Sequence, residues 1–266
     1  MAKVIKIPTN KIALAADGSD LLLELMAAGQ VQVDFLKVGP WIGLDRMFDR
    51  AKYYPILLHL HNPLIGCSIQ PELTAIQQLI DQTHPPFVSF HLDVPSSRIF
   101  RLWKKAGIPI PIVTRPRATR QAIENIQLLQ AALSIPIAVE NQAYHRPTGH
   151  DYLVDPPFIN KVIQQTGCHS LLDLGHARVS AAMRGESADE YIRQLPLEHV
   201  IELHVSGPGM YRGRLRDLHH PLAEADYDLL PFTLERCPNL RVVTLEYYGP
   251  AELLVSQLQR LRKTIL

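Results

Sequence analysis

Leu171-Leu-Asp-Leu-Gly-His-Ala-Arg-Val-Ser180 is the stretch on which the interpretation of this chain depends. An apolar strand, predicted from Ser170 to Leu172, runs directly into Asp173, and His176 follows three residues later. An Asp-x-x-His turn at the end of a strand can direct two metal-binding side chains toward one point. Alone the motif is weak, because aspartate and histidine at such positions often cap a helix instead. The other strands of the chain decide between the two interpretations.

Short β-branched or leucine-rich runs alternate with amphipathic helices along the chain. We predict eight strands, over Lys11–Ala15, Val31–Val38, Pro55–Leu60, Phe87–Leu92, Ile135–Asn141, Ser170–Leu172, Val200–Val205 and Arg241–Glu246. Helices are predicted over Ser19–Met26, Leu44–Tyr53, Pro71–Thr83, Ser97–Ala106, Thr119–Leu133, Pro156–Thr166, Ala188–Gln194, Tyr227–Arg236 and Ala251–Lys263. A glycine- and arginine-rich loop is expected after the seventh strand. This alternation implies a parallel sheet, and eight strands in 266 residues favour one α/β domain, a closed (β/α)8 TIM barrel over residues 1–266.

Strands three to eight end in side chains that can bind a metal ion. In barrels of this kind the catalytic groups lie at the C-terminal ends of the strands. The six strand-end residues are His59, His91, Glu140, Asp173, His204 and Glu246. His176 and two residues of Arg216-Asp-Leu-His219, namely Asp217 and His219, raise the set to nine candidate metal ligands.

The nine candidates are five histidines and four carboxylates. This donor set suits zinc, iron, manganese or cobalt, and the absence of cysteine argues against a structural zinc site. Each residue alone could be a hydrogen-bonded core histidine, a carboxylate paired with arginine, or a helix cap. Nine such groups at one barrel mouth would be costly to bury without a shared ion. Four carboxylates neutralise two divalent ions, so we predict a centre of two to three divalent metal ions.

The composition excludes several classes of function. Hydrophobic residues make up 47% of the chain and charged residues 20%, which is ordinary for a soluble enzyme. A formal net charge of +1 argues against a nucleic-acid partner. The N-terminus lacks an apolar core of signal-peptide length, and no apolar run is long enough to span a membrane. The cysteines Cys67, Cys168 and Cys237 are far apart, so we expect buried, reduced thiols and a cytoplasmic location.

A second group of polar residues is expected to contact substrate. Its members are Lys37, Asn141, Arg178, Arg212 and Arg214. The four cations could hold an anionic group such as phosphate, although cations of this kind are often only solvated. Asn141 directly follows Glu140 and could orient that carboxylate. Among the remaining histidines, His61 and His220 each adjoin a predicted ligand.

The order of the nine candidates resembles that of the type-four apurinic endonucleases. Those enzymes belong to the xylose-isomerase-like TIM barrels and hold three zinc ions. The resemblance implies one ion on His59, His91 and Glu140, and a second that shares Glu140. It gives that second ion the further ligands Asp173, His204 and Glu246, and the third ion the ligands His176, Asp217 and His219.

The local sequence is more similar to a sister family, the multinuclear non-haem iron enzymes once catalogued only as a domain of unknown function. The similarity lies in 59–66, 90–92, 139–141, 191–196 and 201–205, and is strongest in 172–181, so it covers most of the chain. Some members oxidise cysteine residues of small ribosomal peptides together with a peptide-binding partner protein. The family usually has two asparagines after the strand-six aspartate, where this chain has Gly175 and His176.

Three functions remain open on the sequence alone. Iron-dependent oxidation of a thiol-containing peptide or small molecule is favoured narrowly, since zinc is redox-inert. The second is zinc- or manganese-dependent hydrolysis of a phosphoester, in which two or three ions activate water. The third is sugar isomerisation or epimerisation on a single metal, with Glu140 and Glu246 as the catalytic acid and base. That single metal would need only Glu140, Asp173, His204 and Glu246. The other five candidate ligands would have no role in the reaction.

Overall fold

The computed structural model describes residues 11–95, 112–145 and 147–265. Eight parallel strands close into a barrel in which each strand pairs with the next one along the chain, and the last pairs with the first. These strands are β1 (Ala13–Asp17), β2 (Phe35–Val38), β3 (Ile56–Leu60), β4 (Val88–His91), β5 (Ile137–Glu140), β6 (His169–Asp173), β7 (Val200–Val205) and β10 (Val242–Leu245). The predicted TIM barrel is therefore confirmed.

Between β7 and β10 the chain forms a two-stranded antiparallel hairpin of β8 (Gly207–Tyr211) and β9 (Arg214–His220). The prediction of an irregular loop here was wrong. The turn residues Arg212 and Gly213 both have positive φ, at 50° and 73°. Such a two-residue turn matches the twist of the strands that it joins, so the hairpin is specified locally.

The helices of the described residues surround the barrel. They are α1 (Asp20–Ala27), α2 (Leu44–Tyr53), α3 (Leu73–Thr83), α4 (Arg115–Ala132), α5 (Pro156–Thr166), α6 (Leu174–Arg184), α7 (Ala188–Arg193), α8 (Glu224–Leu234) and α9 (Ala251–Ile265). α6 was not predicted, whereas α2 and α5 have their predicted bounds. The helix predicted over Ser97–Ala106 lies outside the described residues. No helix of the described ranges is both long and apolar enough to cross a membrane.

Small and apolar residues fill the barrel interior beneath its C-terminal mouth. The interior cluster comprises Ala13, Ala15, Phe35, Leu57, Phe87, Ala138, Leu171, Ile201 and Val242. Side chains alternate between the two faces of a strand, so a residue two positions later faces the same way. His59 follows Leu57, Glu140 follows Ala138 and Asp173 follows Leu171 at that spacing. The alternation therefore places these three ligand candidates in the mouth, above the apolar cluster.

A larger core lies between the strands and the helices. Two of the three cysteines are buried as expected, Cys168 and Cys237. Cys67 is exposed, because it lies in the loop after β3 and not on an inward-facing strand position, so the prediction for this residue was wrong.

Candidate metal centre

Glu140, the last residue of β5, lies at the middle of the barrel mouth. Its Oε2 atom is 3.2 Å from His59 Nε2 and 2.9 Å from His91 Nε2, and those two nitrogens are 2.7 Å apart. Its Oε1 atom is 3.5 Å from His176 Nδ1 and 3.6 Å from His204 Nδ1. One buried carboxylate thus contacts four of the five predicted histidine ligands.

The remaining predicted ligands continue from this group toward the hairpin. Glu246 Oε1 is 3.0 Å from His204 Nδ1, and Glu246 Oε2 is 3.0 Å from His219 Nε2. Asp217 lies 3.4 Å from His176 Nε2 and 3.5 Å from His219 Nδ1. Asp173, His204 and Glu246 present ligand atoms within 4.8 Å of one another, as do Glu140, Asp173 and His176. The structure brings all nine predicted ligands into one continuous cluster.

Two of the candidate histidine ligands are held in a fixed orientation by a hydrogen bond from one ring nitrogen. Nε2–H of His204 donates to Glu202, at 3.2 Å, so Nδ1 is left for an ion. Nδ1–H of His176 donates to the carbonyl oxygen of Asn141, at 2.8 Å, so Nε2 is left. His59 Nδ1 similarly lies 2.8 Å from the Ser89 hydroxyl. Metal-binding histidines are commonly fixed in this way.

The hydrogen bonding of the cluster is incomplete at the atoms that would face an ion. Among the described residues, Glu140 Oε2, Asp173 Oδ2, His204 Nδ1 and Asp217 Oδ1 are all buried without a hydrogen-bond partner. Buried polar atoms are normally paired, since an unpaired one costs about 1–3 kcal/mol. Four such atoms in one cluster fit bound cations, and their oxygen and imidazole donors suit divalent transition metals.

Burial and the charges of neighbouring side chains shift the pKa values of these groups. Burial, reinforced by Glu246 and Glu140, raises the pKa of Asp173 to about 6. Burial lowers the pKa of His59 to about 3, so this imidazole is neutral and able to bind metal at neutral pH. Burial opposes ionisation of Glu140 too, but His91 and His59 hold its pKa well below the usual range.

Lys37 lies beneath the cluster and not on its substrate side. Its ammonium group is fully buried, 2.7 Å from Glu202 and 3.1 Å from the Ser89 hydroxyl. Burial disfavours the Glu202 carboxylate, yet Lys37 and His204 lower its pKa to about 2. The expectation that Lys37 contacts a substrate phosphate was wrong, because the side chain is enclosed in the barrel interior.

Asn141 supports Asp173 rather than a substrate or Glu140. Its side chain donates to the Asp173 carbonyl oxygen at 3.1 Å and accepts from the Asp173 amide at 2.8 Å. Asp173 in turn caps α6, accepting from the His176 amide at 2.7 Å. The Asp-x-x-His motif is therefore both a helix cap and a source of ligand atoms. The substrate-binding assignment of Asn141 is corrected, because both ends of its amide group are occupied.

The three arginines proposed to bind substrate differ in their positions. Arg178 pairs with Asp226, so its guanidinium is engaged within the protein and does not face the mouth as a free cation. Arg212 lies at the exposed turn of the hairpin and packs over Tyr211. Arg214 is exposed at the first position of β9. Both hairpin arginines are accessible, and a role for them in binding stays a prediction.

The hairpin brings two candidate ligands to the mouth from outside the barrel. Asp217 and His219 both lie on β9, with side chains about one quarter exposed. His219 has a φ of 49°, a left-handed conformation that is uncommon for a residue other than glycine. In this conformation the His219 ring contacts Glu246. The hairpin packs against α6, which carries His176, so the two elements meet at one side of the centre.

Three further residues of the mouth were not predicted. Asp17 ends β1 two residues beyond the predicted strand, and its buried carboxylate faces the hydroxyl of Tyr248. Burial and the nearby Glu246 raise its pKa to about 7. Glu202 has the same strand parity as His204, which could have identified it as an inward-facing residue. Tyr248 lies beside His219, at 5.5 Å between ring centroids.

A comparison with protein families matches residues 33–264 to the RiPP precursor modification enzyme MbnB/TglH/ChrH. The matched segment contains all nine candidate ligands and all the barrel strands except β1. The chain belongs to the MbnB/TglH/ChrH family. This MbnB/TglH/ChrH assignment agrees with the resemblance to peptide-modifying enzymes noted from the sequence, and it makes the chain a member of an enzyme family.

Relatives in several bacteria carry the name UPF0276 protein. One from Pseudomonas aeruginosa (strain UCBPP-PA14) is 30% identical over 265 residues, which cover 90% of this chain and 89% of that protein. One from Paraburkholderia phytofirmans is 33% identical over 165 residues, or 58% of this chain and 50% of the relative. The matched part thus spans only 50% of that relative and 59% of one from Caulobacter vibrioides.

Solved structures support the same fold at much lower identity. A xylose isomerase-like TIM barrel/4-hydroxyphenylpyruvate dioxygenase fusion protein gives a TM-score of 0.61 at 11% identity, covering 94% of this chain and 42% of that one. A D-psicose 3-epimerase gives 0.60 at 9% identity, covering 96% and 99%. This MbnB/TglH/ChrH member therefore has a TIM-barrel fold similar to that of the xylose isomerase-like protein, as predicted.

Proposed function

We propose that this chain is an iron-dependent oxidoreductase that acts on a thiol of a ribosomally made peptide. The observation that carries the proposal is the cluster of nine histidine and carboxylate side chains around Glu140. Its unpaired atoms are buried at the barrel mouth, where these folds carry their chemistry. Membership of a family of RiPP precursor modification enzymes supports a peptide as the substrate class.

Two to three ions held by the nine residues would supply redox chemistry, because iron with open coordination positions activates oxygen whereas zinc does not. Glu140 would join the ions, since it contacts the histidines on both sides of the cluster. Glu202, Ser89 and the Asn141 carbonyl would keep the imidazole rings aimed at them. Each of these supporting groups is buried, which excludes water from the rear of the centre.

A peptide would approach from the side of the hairpin. Glu140, His59 and His204 are enclosed, whereas Asp217 and His219 are each about one quarter exposed. Exposed apolar side chains flank that opening, namely Met210, Tyr211, Leu218 and Tyr248. A thiol on an extended peptide could reach the cluster there while its neighbours contact these side chains. A peptide-binding partner protein that presents the substrate is part of this proposal.

Oxygen is the oxidant in the proposed reaction. Removal of two electrons and two protons from the peptide reduces one O2 to hydrogen peroxide. Removal of four electrons and four protons reduces it to two molecules of water. The ratio of oxygen consumed to peptide mass lost distinguishes the two.

The first experiment is elemental analysis of protein purified without chelator or added metal, in parallel aerobic and anaerobic preparations. We expect two to three irons per chain and a visible absorption that changes on exposure to air. Addition of a cysteine-containing peptide should perturb that absorption, and the same peptide with serine in place of cysteine should not. Zinc or manganese at this stoichiometry would overturn the oxidase proposal and favour phosphoester hydrolysis. A single weakly held ion would favour an epimerase.

Glu140→Gln tests whether the cluster is one centre. The variant keeps the shape of the side chain but removes the charge that is shared among four histidines, so more than one ion per chain should be lost. Glu198→Gln is the matched control. Glu198 is exposed and lies just before the N-terminal end of β7, away from the mouth, so this variant should keep the metal content of the native chain. Loss of no ion from Glu140→Gln would contradict the shared-carboxylate arrangement.

A further inference from the structure

His61 lies two residues after His59, just beyond the end of β3, and faces two of the predicted ligands. The centroid of its ring is 4.7 Å from that of His91 and 5.3 Å from that of His59. Its other side is stacked on Trp41, at 4.9 Å between centroids and 12° between planes. The imidazole is therefore placed between an indole and the cluster although the residue is exposed to solvent.

Trp41 is itself fixed by the backbone beneath it. A Cβ atom on Gly39 would lie 1.9 Å from Trp41 Cζ3 and 2.4 Å from the carbonyl oxygen of His59. Only glycine allows the indole to approach the end of β3 so closely. Trp41 also meets His59 edge-on, at 5.9 Å between ring centroids. This packing gives His61 a supported position rather than that of a free surface side chain, even though 41% of Trp41 remains exposed.

The ring nitrogens of the three histidines are within reach of one ion. One ligand nitrogen from each of His59, His61 and His91 lies within 4.8 Å of the others. The ion expected here otherwise has three protein ligands, the two strand-end histidines and Glu140. A nitrogen of His61 would raise the number of protein ligands for this ion from three to four.

We propose that His61 is a fourth protein ligand of the ion bound by His59, His91 and Glu140, held in place by stacking on Trp41. The proposal rests on the proposed metal centre. It adds a neutral donor, so the charge balance of the centre is unchanged. The His61 ring also covers the solvent side of His59 and His91, which favours the hairpin side, with Asp217 and His219, as the place where a substrate thiol can bind.

The test is the retention of metal by His61→Ala during dialysis against graded chelator, with elemental analysis at each step. We expect one ion per chain to be lost at about 10-fold lower chelator than in the native chain, or lower still, since even the loss of a supporting contact weakens metal binding by ~10–100-fold. Addition of imidazole to the buffer should restore retention, because free imidazole can fill the vacated position. Trp41→Phe, which keeps a stacking ring, should have a smaller effect.

His199→Ala is the matched control, because this histidine lies at the opposite, N-terminal end of β7, where its Nε2 atom is 3.8 Å from Glu198. Its chelator profile should equal that of the native chain. If His61→Ala also has the native profile, the inference fails while the metal centre stands. If the native chain binds no metal, the proposed function fails first. The cobalt-substituted protein gives a second readout, because loss of a nitrogen ligand changes its visible absorption spectrum.

Discussion

The residue beneath the centre with the largest structural consequence is Lys37. Its ammonium group contacts both Ser89 and Glu202, and these two side chains contact His59 and His204 respectively. One buried cation therefore links the supports of ligands on opposite sides of the barrel. Both side chains are fully desolvated, so removal of one partner alone would leave an uncompensated buried charge.

Replacement of Lys37 alone should be strongly destabilising. Lys37→Met leaves the Glu202 carboxylate buried without its cation, and loss of one partner of a buried pair costs about 3–5 kcal/mol. Urea denaturation of the metal-free protein measures the change in the free energy of unfolding. The double variant Lys37→Met with Glu202→Gln should recover most of the loss, since no unpaired charge remains. An equal loss in both variants would show that the ion pair is not the cause.

Gly175 is a second position where one added atom, a Cβ, would disturb the packing around the centre. A Cβ there would lie 2.4 Å from Ser206 Oγ and 3.2 Å from Asp173 Oδ1. We expect Gly175→Ala to cost about 1–3 kcal/mol through overpacking and to displace Asp173. Thermal unfolding and metal content measure both effects. Ser206→Ala removes the nearest atom, so the combined variant should regain stability; if it does not, Ser206 is not the obstacle.

Much of the site could be predicted at this scale because strand alternation has a period of two. His59, Glu140 and Asp173 end strands whose inward parity is visible in the sequence. Asp17 was missed because the strand boundary was placed two residues too early. Lys37 was misassigned because a lone cation near a mouth suggests an anion site, and only the three-dimensional structure shows Glu202 facing it.

The hairpin is the element that departs most from a plain barrel. β8 and β9 have no hydrogen-bonded partner in the main sheet, yet they carry two of the nine candidate ligands. A two-stranded hairpin is marginally stable on its own, so packing against α6 must hold Asp217 and His219 in place. The geometry of this part of the centre therefore depends on the hairpin turn.

Gly213→Ala tests that dependence. Its φ of 73° lies in the left-handed region, where alanine costs about 1–2 kcal/mol. Weakening of the turn should release the ion nearest to Asp217 and His219 at lower chelator concentration. Gly29→Ala is the matched control, because Gly29 has a similar φ of 70°, open surroundings and no ligand nearby. We expect both variants to lose a comparable amount of thermal stability, and only Gly213→Ala to lose metal. Equal metal retention in the two variants would contradict this dependence.

The elements themselves were predictable to different degrees. Long periodic helices such as α2 and α5 have strong apolar spacing and clear end signals, and their bounds agree with the prediction. The hairpin was missed because arginines and glycines interrupt the alternation that identifies strands. α6 was missed because Gly175 and small alanines follow Asp173, so the segment lacks the apolar stripe that usually marks a helix.

The whole molecule combines a largely apolar barrel interior with a crowded polar mouth. The four carboxylates among the candidate ligands repel one another in the absence of cations. Removal of metal should therefore lower the midpoint of thermal unfolding, since a ligand at 100 times its dissociation constant stabilises a protein by about 2.7 kcal/mol. Differential scanning calorimetry before and after chelation, and again after metal is returned, measures the shift.

A variant with fewer bound ions provides the control for this experiment. Glu140→Gln should show a smaller fall of the midpoint on chelation than the native chain, because its cluster already lacks at least one ion. A native chain whose midpoint is unaffected by chelator would contradict the view that the ions stabilise the fold. A midpoint that falls but does not recover on addition of metal would point instead to irreversible unfolding of the metal-free chain.

The position of the hairpin outside the barrel has a kinetic consequence. Barrel strands open only with the whole domain, but a peripheral hairpin can open locally at lower free energy. Ions held only by strand-end residues would then exchange with solution slowly, at the pace of global unfolding. An ion that depends on β9 would exchange on the faster time scale of hairpin opening. One molecule would then contain a slowly exchanging ion and a rapidly exchanging one.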